Sequence, residues 1–213
     1  MSGITRIHIQ SDWDDWRTQL AHDHEDVADS IYRSAFNLAE GVSVVECTKN
    51  EAAGRYDWKE GIDVILRTDK GTRMTLQEKF LTFWQSTATF EERKTNGDLG
   101  AWYYCTAQYY FVGYTRKYWD YKRRAVFSNP LIDFQDWVLI DLAAIHREDE
   151  NNRVAWTFNT NTQDNRRAQF RYIGFDNLPP SSVLSRCDGT RPTLQKSLPA
   201  TLPDNLFGFA SKW

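Results

Sequence analysis

The hydrophobic and polar positions along this chain form one helical pattern and then a series of short β-prone runs. Within residues 24–39, apolar side chains recur at the spacing of one face of an α-helix. Gly41 is a natural stop signal, so the pattern predicts a helix within residues 12–40. The run that follows, residues 42–47, is short and β-prone, and the polar residues 48–60 indicate a loop.

Two longer β-prone runs come next, separated by a turn. They comprise residues 62–67 and 74–83, and the Thr-Asp-Lys-Gly sequence at positions 68–71 is a good turn between them. Two such runs joined by a short turn predict a β-hairpin.

The later segments predict further strands separated by loops. A polar stretch spans residues 85–100 and contains the turn signal Asn96-Gly97, whereas residues 101–114 fit either a strand or a helix. Strands are expected at residues 137–142, 154–158 and 169–175, and loops at residues 146–153 and 159–167.

The order of these elements predicts an α/β or α+β fold. A chain of 213 residues is about one and a half times as long as a typical domain and can bury a core without disulfides. Five of the six prolines lie after residue 178, where the apolar period vanishes. We therefore expect a single domain over residues 1–178 and a Pro-containing arm over residues 179–213, which is either docked on the core or partly disordered.

The composition excludes several classes of protein. Hydrophobic residues make up 41% of the chain and aromatic residues 15%, which is too much apolar surface for a long disordered chain. The chain lacks an apolar run of about 18 residues and a basic-then-apolar leader, so we expect a cytoplasmic protein without membrane contact. Its three cysteines are far apart, and we expect them to be reduced thiols rather than metal ligands or disulfides.

The net charge of −3 hides a gradient along the chain. Residues 1–69 carry 7 basic and 14 acidic side chains, residues 70–128 carry 10 and 5, and residues 129–213 carry 9 and 10. An acidic region beside a basic, aromatic one suits an enzyme that binds metal ions with its acids and phosphates with its cations. A solvated surface explains the same numbers, so the gradient alone does not decide between the two.

The most informative residues are Asp63, Gln77 and Lys79 in the predicted hairpin. Asp63 begins one strand, and Gln77 and Lys79 lie two residues apart on the next, where their side chains share a face. Carboxylate and amide oxygens bind a hard cation such as Mg²⁺, and a lysine beside them can position or deprotonate a water and offset charge on a phosphate. The alternative is that Asp63 merely ends a strand and Lys79 is solvated. Glu78 falls on the apolar face of its strand and needs a partner there.

This arrangement resembles the active site of the PD-(D/E)XK nuclease superfamily, the restriction-endonuclease-like fold. The resemblance implies an αβββαβ core, in which helices flank a mixed central sheet and the site lies on the second and third strands. The helix and hairpin of residues 24–83 are similar to that core. Asp63 matches the family's first acid, although Ile62 replaces its proline, and Lys79 matches its lysine. Gln77 takes the place of the second acid, which removes one negative charge.

The resemblance also implies a Mg²⁺ or Mn²⁺ cofactor and an additional acid from the first helix. Glu25 and Asp29 are four residues apart on one helix face, and either would restore the charge lost at Gln77. Glu40 at the helix end is a further option, and Asp57 lies in the loop before the hairpin, where it could contact metal through water. The implied catalytic residues are Asp63, Gln77, Lys79 and Glu25, and the implied metal ligands are Asp63, Gln77, Glu25 and Asp29.

Two basic stretches are candidate contacts for DNA. The first interleaves cations with aromatic residues, which suits phosphate contacts and base stacking, and its cations are Arg116, Lys117, Lys122, Arg123 and Arg124. The second comprises Arg166, Arg167 and Arg171. For both, the alternative is an amphipathic segment whose aromatic side chains pack in the core while the cations face water.

The histidines give weaker signals. His22 and His24 flank Asp23 and do not share a helix face, so we expect a solvated helix start rather than a metal site. His146 is expected at a helix start or on the surface. The sequence contains no glycine-rich phosphate loop, no dinucleotide-binding glycine motif and no nucleophile elbow, so we expect no nucleotide cofactor.

Three functions are therefore open. The first is a Mg²⁺-dependent DNA endonuclease, which could act as a homodimer because two DNA strands need two sites. The second is a nuclease-like protein that has lost catalysis and binds nucleic acid or protein. The third is an unrelated globular accessory protein of a phage or mobile element. Divalent-dependent cleavage of DNA separates the first function from the other two.

Overall fold

Helix α1 (Trp16–Ala35) is built on the apolar stripe that the sequence predicts. The computed structural model of the chain describes residues 6–7, 16–38, 43–46, 60–67, 73–81, 85–115, 131–160, 168–187 and 194–195. The buried stripe of α1 includes Leu20, Val27, Ala28, Ile31 and Tyr32. The helix ends before the predicted stop at Gly41, because Asn37 has a φ of +49° and the Leu38 N–H donates to the Arg33 carbonyl (3.0 Å).

Seven strands form one mixed sheet. Their order across the sheet is β1 (Arg6–Ile7), β2 (Ser43–Glu46), β3 (Val64–Arg67), β4 (Arg73–Leu81), β6 (Tyr109–Thr115), β8 (Phe134–Asp141) and β11 (Val183–Arg186). The pairs β1–β2 and β4–β6 are parallel, and the other neighbours are antiparallel. The predicted hairpin is confirmed as β3–β4, and β4 is an interior strand paired on both sides.

A second, antiparallel sheet of three strands lies beside the first. Its order is β5 (Thr87–Arg93), β10 (Gln169–Gly174) and β9 (Thr157–Thr160), and a separate pair joins β7 (Leu131–Ile132) to β12 (Leu194–Gln195). Two α-helices, α2 (Ala101–Tyr104) and α3 (Leu142–Glu150), and two 3-10 helices, Phe175–Asn177 and Pro180–Ser182, complete the described elements. The described chain is thus of the α+β class, with a mixed sheet and few helices.

The two faces of the large sheet bury two separate clusters of apolar side chains, because successive residues of a strand point to opposite faces. On one face, α1 packs against a set that includes Val64, Leu66, Leu76, Phe111 and Leu139. On the other face, β5, β10 and α3 pack against Ile65, Tyr110, Val112, Val138 and Ile140. We call these the α1 face and the β5 face.

Several predicted elements differ from the observed ones. The polar stretch 85–100 contains strand β5 before the Asn96-Gly97 turn, where Gly97 has a φ of +90°. Residues 101–114, for which the sequence fits either a strand or a helix, contain one of each: a one-turn helix and then β6. Residues 146–150, predicted as a loop, belong to α3, which begins where Asp141 caps the Ala144 N–H (2.9 Å). The strand predicted at residues 154–158 is β9, a few residues later.

Part of the predicted C-terminal arm pairs with the rest of the chain. Residues 183–186 form β11 on β8, and residues 194–195 form β12 on β7. The rest of the arm beyond residue 187 lies outside the described residues. None of the helices in the described ranges combines the length and the apolar character that crossing a lipid bilayer requires.

Candidate active site on the β3–β4 hairpin

The hairpin register places Asp63 beside Gln77. Val64 pairs with Leu76 in the antiparallel ladder, so the residue before Val64 faces the residue after Leu76. The Asp63 N–H donates to the Leu76 carbonyl (2.9 Å), and the Asp63 carboxylate accepts from the Glu78 N–H through Oδ2 (2.7 Å). The two oxygen-bearing side chains that the sequence singled out therefore lie at adjacent positions, and the carboxylate is tied to the backbone of β4.

Lys79 lies on the same face of β4 as Gln77. Leu76 and Phe80 pack on the α1 face, so alternation along the strand places Gln77 and Lys79 on the β5 face, together with Leu81. Because α1 covers one face of the sheet and β5, β10 and α3 cover the other, both faces of β4 are covered and it can carry polar and apolar residues side by side.

The electrostatics of Lys79 set it apart from an ordinary surface lysine. The side chain is half-buried, and this burial lowers its pKa from 10.5 to about 8. The carboxylate of Glu91 on β5 acts in the opposite direction and raises the pKa. Near neutral pH a small fraction of Lys79 is therefore uncharged and able to accept a proton.

Glu78 has the partner that its place on the apolar face requires. The hydroxyl of the fully buried Tyr32 donates to Glu78 Oε1 (2.7 Å), across from α1 to β4. Since the Glu78 N–H also donates to Asp63, one residue of β4 links α1 to the carboxylate of the candidate site.

The two residues that follow α2, Cys105 and Thr106, contact the segment before β3 and the side chain of Gln77. The Cys105 thiol lies 3.3 Å from the Gly61 carbonyl oxygen and 3.5 Å from Gln77 Oε1. The Thr106 N–H donates to the Glu60 carbonyl (2.7 Å). Burial raises the pKa of the Cys105 thiol to about 11, so this group is a neutral hydrogen-bond donor and not a nucleophile at physiological pH.

The predicted helix acids lie on the other side of the sheet. Glu25 and Asp29 are each 4% exposed on α1, which covers the α1 face, whereas Gln77 and Lys79 point to the β5 face. The hairpin register thus places Asp63 beside Gln77, and Lys79 follows on the same face of β4, whereas α1 lies across the sheet from Gln77 and Lys79. Within the residues that the structure describes, no three His, Cys, Asp or Glu side chains converge to hold a metal ion.

Several other predicted site residues lie outside the described part of the chain. These are Glu40, Asp57, Arg116, Lys117, Lys122, Arg123, Arg124, Arg166 and Arg167. Their proposed contacts to metal or DNA remain predictions.

Arg171 was predicted in a surface basic patch, and this prediction is wrong. The residue is 6% exposed, forms an ion pair with Glu92 and lies 2.9 Å from Asp149 Oδ2. Its guanidinium also stacks over the rings of Trp102 (4.4 Å) and Trp156 (5.4 Å). A cation enclosed in this way supports the fold and cannot reach a phosphate.

The histidines also differ from expectation. His24 and Asp23 are buried and not solvated, and the His24 ring packs on Phe134 with centroids 5.3 Å apart. The side chain of His22 is outside the described residues. His146 lies in α3, half-buried, with its ring 4.0 Å from that of Trp102, and burial lowers its pKa.

Sequence reasoning missed Glu91, and it missed the contact of Cys105 with Gly61 and Gln77. A signal existed for Glu91, because residues 87–90 (Thr-Ala-Thr-Phe) alternate polar and apolar as a strand does. The contact between Gly61 and Cys105 joins residues 44 positions apart and leaves no local pattern.

Comparison with known proteins does not add a relative. No family model, curated protein or solved structure matches this chain.

Proposed function

We propose that this chain is a metal-dependent DNA endonuclease with its catalytic centre at Asp63, Gln77 and Lys79. The observation that carries the proposal is the hairpin register, which sets Asp63 beside Gln77. Lys79 lies two residues after Gln77 in β4, so the two side chains share a face. The lowered pKa of Lys79 supports a proton-transfer role for the lysine, because general bases work best when their pKa lies near the operating pH.

The order of the elements supports the same proposal. From α1 to β6 the chain runs α1, β2, β3, β4, β5, α2 and β6, with β6 parallel to β4, which is similar to the αβββαβ order. Two features depart from that order: β5 enters a second sheet, and α2 has four residues instead of a full helix.

The donor set at the hairpin suits a hard divalent cation, although it is small. Asp63 would contribute a carboxylate oxygen and Gln77 its amide oxygen, and water or phosphate oxygens would complete the coordination. A bound Mg²⁺ or Mn²⁺ would supply Lewis-acid stabilisation of charge on the phosphate. Lys79 would orient the attacking water, accept its proton in the neutral form, and offset charge on the phosphate in the ammonium form.

DNA as the substrate is supported by the charge distribution of the sequence. Residues 70–128, which include the hairpin strand β4, carry 10 basic and 5 acidic side chains. We assign the phosphate contacts to the basic segment at residues 116–124, with a cytoplasmic location and a homodimer as the working assembly.

One observation favours a second function, a nuclease-like protein that binds nucleic acid without cutting it. Gln77 lacks the charge of an acid, and Glu25 and Asp29 lie on the helix that covers the opposite face of the sheet. A site with one carboxylate holds a divalent cation weakly, so loss of catalysis is compatible with the same geometry.

Single-turnover cleavage of plasmid DNA in Mg²⁺, beside a binding titration in Ca²⁺, separates the two functions. We expect Lys79→Ala and Asp63→Asn to cut about 10²–10⁴-fold more slowly than the wild type while DNA affinity changes by a few-fold at most. Lys94→Ala is the matched control, since Lys94 lies at the turn after β5, over the Tyr104 ring (4.6 Å), and should cut normally. Cleavage by Lys79→Ala at the wild-type rate would place the chemistry elsewhere, and binding without cleavage by the wild type would favour the second function.

A further inference from the structure

We infer that Cys105 is a positioning residue of the proposed metal site, whose thiol holds the amide oxygen of Gln77 and the Gly61 backbone in place to receive a divalent cation. This inference rests on the proposed function, since it assigns a role within that site. The role is structural support through hydrogen bonding, without direct contact between sulfur and metal.

The contacts of the thiol are the first part of the argument. Cys105 Sγ lies within hydrogen-bonding range of two acceptors, the Gly61 carbonyl oxygen at 3.3 Å and Gln77 Oε1 at 3.5 Å. A donor beside Oε1 determines which end of the Gln77 amide faces the thiol, because the amide nitrogen has no lone pair to accept that proton. The oxygen retains a second lone pair for a cation.

Gly61 is what allows this close approach. Its φ is +61°, in the left-handed region that glycine adopts readily. A Cβ at this position would lie 3.0 Å from Cys105 Sγ and 3.2 Å from Cys105 Cβ, which would push the thiol away. The backbone at residue 61 and the side chain at residue 105 are therefore fitted to each other.

The neighbouring residues show that the contact belongs to a larger clamp on the segment before Asp63. Thr106 donates its backbone N–H to the Glu60 carbonyl (2.7 Å), and its hydroxyl lies 3.3 Å from the same oxygen. On the other side, Asp63 bonds through its N–H and its carboxylate to β4. Asp63 is thus held between β4 and the Cys105–Thr106 turn.

The chemistry of the thiol suits a donor better than a ligand or a nucleophile. The side chain is half-buried against the β5-face cluster, with its sulfur beside two oxygen acceptors. Mg²⁺ and Mn²⁺ prefer oxygen ligands to sulfur, so a protonated thiol beside the site does not compete for the cation.

The test measures Mn²⁺ affinity of the DNA-free protein, which does not depend on cleavage. We compare the wild type with Cys105→Ser, which retains a donor, and with Cys105→Ala and Cys105→Val, which remove it. Cys187→Ala is the matched control, because Cys187 is a half-buried free thiol whose described packing is with the α1-face cluster. Loss of one hydrogen bond should raise the Mn²⁺ Kd about 3–10-fold in Cys105→Ala and Cys105→Val. Cys105→Ser should stay within about 2-fold of the wild type, and Cys187→Ala should not differ from it.

The outcomes separate this inference from the proposed function. Equal Mn²⁺ affinity of the wild type and the donor-free variants would overturn the positioning role and leave the nuclease proposal standing. An equal loss in Cys105→Ser and Cys105→Ala would overturn it too, because the thiol would then act by its size. Absence of Mn²⁺ binding by the wild type would overturn both. Should Cys105→Ala fail to fold, Cys105→Val decides, since it fills the space without donating.

Discussion

Lys79 and Arg171 are both cations that the fold removes from water, and their surroundings lead to opposite results. For Lys79, burial prevails over the opposing charge of Glu91, so its pKa falls to about 8. Burial also acts against the charged form of Arg171, but the hydrogen bond and charge of Glu92, helped by Asp149, prevail and raise its pKa.

The difference lies in how completely each cation is compensated. Arg171 has two acid partners and stacks on aromatic faces, so its charge is fixed at every physiological pH. At Lys79 the cost of burial outweighs the charge of Glu91, so the side chain can gain and lose its proton near neutral pH. A buried cation whose charge is fully compensated by acids is suited to supporting the fold. A buried cation whose pKa lies near neutral pH can exchange its proton, as an acid–base catalyst must.

The largest effect on stability is expected from removing Arg171. Arg171→Met should lower the free energy of unfolding by about 3 kcal/mol, because Glu92 and Asp149 are left as poorly compensated charges beside an apolar cluster. Urea denaturation measures the change. Arg153→Met is the control, since Arg153 pairs with Glu148 at a side chain that is 60% exposed, and it should cost less than about 1 kcal/mol. Equal costs for the two variants would contradict the contrast drawn above.

Removing Lys79 should have the opposite sign. Lys79→Met should raise the free energy of unfolding at pH 7 by about 1–3 kcal/mol, because the folded state no longer encloses a poorly compensated charge. Below a pH of about 8 the lysine is charged in both states and its burial penalty is complete. As the pH rises from about 8 toward 10.5, the folded state loses its proton first, so the wild type should gain stability that the variant does not.

Urea denaturation of the wild type and Lys79→Met at pH 7 and pH 10 measures this difference, and Lys94→Met controls for the loss of one positive charge. A stability gap between wild type and Lys79→Met that is the same at both pH values would show that Lys79 has an ordinary pKa in the folded protein.

The smallest and sharpest effect is expected at two neighbours in β5, Glu91 and Glu92. Glu91→Gln removes the charge that raises the pKa of Lys79, so this pKa should fall by less than about one unit, with stability nearly unchanged. Glu92→Gln should leave the pKa of Lys79 alone and lower stability through Arg171. NMR titration of the lysine side chain and urea denaturation give both readouts for both variants. The contrast fails if the two variants shift the Lys79 pKa alike.

The parts of this molecule that could be predicted from sequence are those that local pairing decides. A short turn between two β-prone runs sets the β3–β4 register, and that register alone places Asp63 beside Gln77. The second half of α3 was missed because residues 146–150 are polar and largely charged, although Asp141 followed by Leu-Ala-Ala carries a helix-start signal.

Non-local packing decided the rest. The side of the sheet on which Glu25 and Asp29 lie depends on where α1 docks, and spacing within α1 contains no information about this. Arg171 reads as a surface cation because its partners come from β5 and α3, 79 and 22 positions away. The aromatic rings that enclose it are similarly distant in sequence.

The covering of the β5 face has a consequence for the pKa of Lys79 while the chain is being synthesised. β5 pairs with β10, which ends at residue 174, so the covering of the β5 face depends on residues synthesised long after the hairpin. We therefore expect the lowered pKa of Lys79 only in chains that extend through β10.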